Sequence, residues 1–197
     1  MAQSSVQLGV FTLPEIRGDG FMLRPFRPAD AESLQMALDD PEVTQRLTNI
    51  PQPYTMDHAY GWIAHAAAPI TQKSDRICFV IDVDGKVAGS VSFINVHFGQ
   101  RNAQLSTWVA KNHWGQGLAT KTVRALIEYG FTSLNLHRIF AFYVEDNEKS
   151  KKMLQRLGFV NEGVHRQEWE KEVDGVLKRF DSVHCSLLQH EWKEMMK

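Results

Sequence analysis

Gly115 and Gly117, in the run Trp114-Gly115-Gln116-Gly117-Leu118-Ala119-Thr120, are the residues whose spacing points most directly to chemistry. They stand between a strand-like run and a long amphipathic one. Glycine lets a backbone turn tightly and approach a ligand closely. The amides of Gly115 to Ala119 would then be donors at a helix N-terminus, where the dipole also favours an anion. That is the chemistry of phosphate binding in general. By spacing alone the run reads equally well as a structural turn from strand to helix. It lacks the Gly-Lys-Ser/Thr of a P-loop, and Lys121 or a neighbour stands where a dinucleotide fingerprint would place its third glycine.

The elements that would position this loop follow from periodicity and turn residues. Residues 1–20 read as an N-terminal arm and 21–190 as one domain. Phe21 to Arg27 reads as a strand, with Pro25 indicating an edge. Asp30 is placed to cap a helix that runs to Leu38 and stops at Asp39-Asp40-Pro41. A proline-rich stretch, Ile50 to Tyr54, leads to a second helix from Thr55 to about Ala68. Arg76 to Val83 and Lys86 to Val96 read as a hairpin closed by Asp84-Gly85. Ala103 to Ala110 supplies a further strand. Leu118, Val123, Leu126, Ile127 and Phe131 then share one face of a helix. His137 to Val144 is extended, Asn147 to Leu157 is a helix ended by Gly158, and Phe159 to Gly163 resumes as strand. A turn at Val173 to Val176 precedes a last strand, Leu177 to Leu188. The order predicts a mixed α/β sheet of about six or seven strands with flanking helices, partly parallel where a helix forms a crossover.

Composition bounds what this fold does. The chain has 197 residues, 43% hydrophobic and 23% charged, with a formal net charge of -1. No global basic field would gather nucleic acid, and no direct nucleic-acid binding is expected. No apolar run is long enough to span a bilayer, and Met1 to Ser5 lacks the pattern of a secretory signal, so the expected location is cytoplasmic. Cys78 and Cys185 lie far apart in strand-like runs and read as reduced, buried thiols, with a disulfide open only if their strands are adjacent. No cysteine and histidine spacing of a metal site is found, and no metal is expected.

The glycine run resembles the acetyl-CoA loop of the GCN5-related N-acetyltransferases, the GNAT family. Further on, Asp146-Asn147-Glu148-Lys149-Ser150 leads through Leu154 and Leu157 to Gly158-Phe159, similar to the same family's helix beside the coenzyme. Two blocks in the right order are far more specific than either alone. Leu23-Arg24-Pro25-Phe26 and Pro51-Gln52-Pro53-Tyr54-Thr55 resemble the RimJ/RimL-like branch, which acetylates N-termini of ribosomal proteins, and its small-molecule-modifying relatives. The resemblance spans roughly residues 20 to 188. One departure is Asn112, at a position where the family commonly has Gln or Arg.

The resemblance implies a single GNAT domain with splayed parallel strands at the acetyl-CoA site. It implies transfer of acetyl from acetyl-CoA to a primary amine, on a protein N-terminus or a small molecule, by direct attack in a ternary complex. Trp108, Val109 and Ala110 would pair with the pantetheine arm, and Val109 would offer its amide to the oxyanion. Trp114, Gly115, Gln116, Gly117, Leu118, Ala119 and Thr120 would hold the pyrophosphate. Asn147 would bond the arm, although Asn also suits a plain helix N-cap. Ser150 would protonate the departing thiolate, or is a solvated helix residue. Lys121, Lys151 and Lys152 would reach toward the 3′-phosphate, or form a solvated face. Where the branch often carries a basic Glu, this chain has Gln104, which takes no proton at neutral pH. His97, Glu145 and His113 are the substitutes, with His97 favoured for its natural range. Tyr54, Trp62, Phe98 and Trp169 would line the acceptor cleft with Gln104, although Trp62 also suits a helical core. Glu168, Glu170 and Glu172, placed on a turn, could hold a cationic acceptor. Trp192, Met195 and Met196 hint at a homodimer contact. Gln104 also leaves open a CoA-binding regulatory module without turnover.

Overall fold

Alternation, turn residues and caps shape the sheet and its covering helices in a computed structural model, which describes residues 12–45, 47, 50–71, 73–173 and 176–197. The strands are β1 (Ile16–Gly18), β2 (Phe21–Arg24), β3 (Arg76–Val83), β4 (Lys86–His97), β5 (Asn102–Val109), β6 (Arg138–Val144), β7 (Val160–Val173) and β8 (Val176–Leu188). The helices are α1 (Ala31–Leu38), α2 (Pro41–Thr44), α3 (Met56–Ala66), α4 (Leu118–Thr132), α5 (Glu148–Arg156) and α6 (Gln189–Met195). Two units make up the chain: residues to Val96 with Ser106–Leu126, and His97–Leu105 with Ile127–Lys197.

In the first unit, β1, β2, β3 and β4 are joined antiparallel in sequence order. The Asp84-Gly85 turn closes β3 and β4 with φ of 52° and 80°, left-handed values that Asp tolerates and Gly adopts freely. The strand at Ile16–Gly18 lies in the segment expected as an arm. It makes β2 an interior strand, not the edge that Pro25 indicated. Pro25 lies just beyond the last residue of β2, where a missing N–H breaks no ladder. The helices gather a core in which Phe26, Leu34, Leu38, Tyr54, Ile63 and Val80 are buried. Thr55 caps α3 through its hydroxyl, which accepts from the His58 amide at 3.3 Å.

Asp30 precedes α1 but does not cap it with its side chain. Its carboxylate instead takes Arg24 Nη1 and Nη2, both at 2.8 Å, and the Arg27 amide at 2.8 Å. Arg24 Nε donates to Asp82 at 2.6 Å, so one guanidinium joins two carboxylates, all three groups buried. The Asp39-Asp40-Pro41 stop is also a start. Asp40 accepts the Glu42 amide at 2.9 Å, and Pro41 opens α2, where its missing N–H has no intrahelical partner to lose.

In the second unit the strand order is β5, β6, β8, β7. The parallel register of β5 with β6 covers Asn102↔Arg138, Ala103↔Ile139 and Gln104↔Phe140. β8 runs antiparallel to β6 and to β7. The register of β7 breaks between His165 and Trp169, where Gln167 has φ 53° and its amide bonds the Asp181 carboxylate at 2.8 Å. Glu168 and Glu170 therefore stand on a long strand, not on the expected turn, and so does the main chain of Glu172. Asp174 and Gly175 of that turn lie outside the described residues. The C-terminal α6 goes beyond the sequence expectation. Trp192 packs on Phe131 at 5.5 Å, and a Cβ on Gly158 would meet Met195 Sδ at 2.4 Å, so both side chains have partners within the chain.

Two carboxylates tie β7 to its neighbours. The Arg138 guanidinium holds Glu162 down at about 2. Burial pushes Glu168 upward, but hydrogen bonds from Ser182, His184 and His165 outweigh it and hold it at about 2 as well. Both folded values lie below the ordinary 4.5, so their contribution is full above pH 4.5 and is lost as pH falls toward about 2. The thermal midpoint should fall across that window, and Glu162→Gln should flatten the dependence. A midpoint unchanged through the window would contradict this account of β7.

Candidate active site

Each sequence block takes shape within its own unit. In the first, β5 ends at Val109 and a short 3-10 turn, Lys111–His113, leads into the glycine run. Gly115 and Gly117 have φ of 76° and 74°, in the region that favours glycine. A Cβ built on either meets nothing within 4 Å, so space opens in front of both. The loop is held from the side: Trp114 Nε1 donates to the Val109 carbonyl at 2.7 Å, and Gln116 Nε2 to the Asn112 carbonyl at 3.0 Å. Asn112, the departure from the family pattern, thus works through its main chain. The Lys121 amide donates to Gly117 O at 3.1 Å, so the amides of Leu118, Ala119 and Thr120 belong to the first turn of the fifteen-residue α4. Val123, Leu126, Ile127 and Phe131 are buried along one face of α4, as their spacing predicts.

One residue that sets this strand was missed by sequence reasoning. A Cβ on Gly89 would lie 2.3 Å from the Trp108 carbonyl oxygen and 3.0 Å from Val109 Cα. The bond from the Ala110 amide to the Ala88 carbonyl, 2.8 Å, holds the same approach. No turn signal marks Gly89, because its role is room for a neighbouring backbone. Gly89→Ala should therefore lose about 1–3 kcal/mol in denaturant unfolding, as overpacked sites do. Wild-type stability in that variant would show that β4 and β5 do not need this contact.

In the second unit, Asn147 caps α5, its Oδ1 accepting the Ser150 amide at 3.1 Å. Asn147 Nδ2 and Ser150 Oγ make no hydrogen bond among the described residues. Both are half-buried. Gly158 ends the helix at φ 86°. Lys151 pairs with Glu148 at 3.0 Å, and in the first unit Lys121 pairs with Asp19 at 2.6 Å. His97 is exposed at the end of β4, His113 is half-buried in the 3-10 turn, and exposed Glu145 accepts the Asp181 amide at 3.4 Å. Gln104 lies in the parallel stretch of β5.

Of the four aromatic residues expected at an acceptor cleft, Tyr54, Trp62 and Trp169 pack against the core or another ring, and Phe98 is half-buried. Tyr54 is buried in the helical core, and burial raises its phenol. Trp62 packs against that core, edge-on to Phe26 at 6.5 Å. In the second unit Trp169 lies against Phe142 at 5.3 Å. Cys78 and Cys185 are both buried and free, and burial pushes Cys185 to about 11. Among the described residues no helix is long and apolar enough to cross a membrane.

A mixed sheet with a parallel pair, and a turn of two left-handed glycines at the start of a long helix, define an α/β protein. Comparison with known proteins narrows that class. A model of the acetyltransferase (GNAT) domain matches residues 21–160. An uncharacterized N-acetyltransferase, p20 of Bacillus licheniformis, is 31% identical over 175 residues, 86% of this chain and 93% of that protein. Spermidine N(1)-acetyltransferase of Escherichia coli (strain K12) is 29% identical over 114 residues, 58% of this chain and 59% of that protein. Among solved structures, RimJ of Mycobacterium smegmatis, in complex with CoA-disulfide, matches with a TM-score of 0.74 at 25% identity over 89% of each chain. The chain belongs to the GNAT acetyltransferase family. It is an N-acetyltransferase, transferring an acetyl group to an amine.

Proposed function

We propose that the acetyl donor is acetyl-CoA and that its pyrophosphate rests on the amides of Gly115 to Ala119, flanked by Trp114 and Thr120. The observation that carries this reading is the pair of left-handed glycines with open space before them, at the start of a long helix. The pantetheine arm lies along Trp108, Val109 and Ala110, and the Val109 amide steadies the oxyanion. A parallel register that ends at Gln104↔Phe140 supports this, because an arm needs a strand with main-chain groups to spare. Asn147 Nδ2 bonds the arm, Ser150 Oγ protonates the departing thiolate, and Lys151 lies toward the coenzyme. The cap leaves both groups available for those tasks.

The acceptor is a primary amine, a peptide N-terminus or a polyamine, that attacks the thioester directly in a ternary complex. As the amine nitrogen bonds to the acetyl carbon, the carbon–sulfur bond breaks and the ammonium proton passes to a base. His97, through water, is the base in this reading, and no covalent acetyl-enzyme forms. Tyr54, Trp62 and Gln104 are the acceptor-side residues of this reading, whereas Glu168 and Glu170 are already engaged, Glu168 by His165, Ser182 and His184 and Glu170 by Arg179. The likeness to a spermidine acetyltransferase supports a polyamine, and the resemblance of Leu23 to Phe26 and Pro51 to Thr55 to the RimJ/RimL-like branch supports a peptide N-terminus.

A panel of peptides with varied first residues, together with spermidine and spermine, tests this by acceptor-dependent release of free thiol. At least one acceptor should turn over, and Ser150→Ala should lower kcat about 100-fold with little change in the affinity for acetyl-CoA. Coenzyme binding with no turnover on any acceptor would instead favour a regulatory module. An unchanged kcat in Ser150→Ala would remove Ser150 from the chemistry.

A further inference from the structure

The register break in β7 has a chemical consequence. By folding Arg166 and Gln167 out of the ladder, it brings Glu168 back beside His165 and over the β8 residues Ser182 and His184. Ser182 and His184 alternate onto one face of β8. His165 Nδ1 stands 2.9 Å from Glu168 Oε1, and His184 Nε2 stands 2.8 Å from Glu168 Oε2. Ser182 Oγ bonds Glu168 Oε2 as well, and lies 3.1 Å from His184 Nε2. The two imidazoles stack with centroids 3.7 Å apart, and Phe142 stacks on His184 at 5.4 Å. One ligand atom from each of His165, Glu168 and His184 lies within 4.8 Å of the other two.

We propose that His165 Nδ1, His184 Nε2 and the Glu168 carboxylate form a site for a borderline divalent transition cation, with Zn2+ as the representative ion. Two neutral imidazoles and one carboxylate are the donor set that such a cation takes, with a fourth position left for water or a ligand. Bonds of about 2.0–2.1 Å place tetrahedral ligand atoms about 3.3 Å apart. The two nitrogen–carboxylate separations, 2.9 and 2.8 Å, run to different oxygens and are about 0.5 Å shorter than this, so the ion enters as they open and the stacked rings turn to aim both nitrogens at it. A coordinating imidazole carries its proton on the nitrogen that does not face the ion, and its lone pair takes the metal. The Phe142 ring backs His184, while side chains 56% exposed at His165 and 37% exposed at Glu168 give the ion a way in. Bound there, the cation pins the interrupted part of β7 to β8. The site is independent of the acetyl-transfer reading, and neither result decides the other.

Calorimetric titration of the chelator-treated full chain with ZnCl2 tests the site. One ion per chain should bind saturably and raise the thermal midpoint. His165→Gln, His184→Gln and Glu168→Gln should each weaken binding roughly tenfold or more. A second readout needs no variant: in imidazole nitrogen NMR spectra of the wild type, Zn2+ should shift His165 and His184 and leave the other histidines in place. Absence of saturable binding at millimolar ZnCl2 would overturn the proposal. So would equal affinity in all three folded variants, or shifts confined to other histidines.

Discussion

Replacing Gly115 and Gly117 together by alanine is expected to weaken acetyl-CoA binding about 100-fold or more while leaving the chain folded. Both glycines have φ near 75°, at 76° and 74°. An L-residue held there costs about 1–2 kcal/mol, so each alanine either strains the loop or rotates it out of that region. The new Cβ atoms meet no protein atom within 4 Å, so no clash adds to that cost. Rotation, however, turns amides away from the place where a diphosphate would sit. A hydrogen bond to a charged group contributes about 1.5–3 kcal/mol, and losing two of them gives the expected loss. Titration calorimetry reads the affinity, and denaturant unfolding reads the stability beside it. Affinity within threefold of wild type would assign the loop a purely structural turn.

The largest effect on stability is expected at Arg24. Its guanidinium reaches Asp30 through Nη1 and Nη2 and Asp82 through Nε, and both carboxylates are buried with it. The same carboxylates organise the backbone nearby, Asp30 through the Arg27 amide and Asp82 through the Gly85 amide at 2.8 Å. Arg24→Met keeps the apolar stem but leaves two buried anions without a counter-charge. Breaking a buried pair in this way costs about 3–5 kcal/mol. For a chain of this size that lowers the thermal midpoint by about 6–20 °C. The triple variant Arg24→Met, Asp30→Asn, Asp82→Asn should recover part of the loss, since it removes the charges along with their partner. A midpoint for Arg24→Met within a degree or two of wild type would show that solvent reaches the carboxylates freely.

How much of the fold can be read from the sequence depends on whether a signal is local. Asp84-Gly85, the Thr55 cap, the Asn147 cap and Gly158 all act within a few residues, and each stands where its chemistry requires. The apolar face of α4 is legible for the same reason. Asp30 shows the limit. Its type suits a helix cap, but a buried arginine competes for the same oxygens and wins, and nothing local announces that pairing. The strand at Ile16–Gly18 is three residues long, too short for alternation to register. In β7, the apolar residues Val160 and Val164 are themselves exposed, so they mark no buried face. The break between His165 and Trp169 then interrupts whatever period the strand would show.

The candidate site divides in the same way. Gly115, Gly117, Asn147 and Ser150 lie in two compact motifs and can be picked out directly. Gly89 cannot, because its importance comes from a backbone on another strand. His165, Glu168 and His184 are joined by strand pairing and a register break, not by a spacing that resembles a metal motif. Tyr54 and Trp62 show that residue type alone does not separate two roles: Tyr54 is buried in the core and Trp62 packs against it, the alternative that its helical position already allowed.

The most direct test of the central claim is a calorimetric titration of the wild-type chain with acetyl-CoA. The account predicts saturable binding of one acetyl-CoA per chain, displaced by CoA and not by NAD or ATP. No saturable heat at high micromolar acetyl-CoA, or equal displacement by NAD, would contradict it.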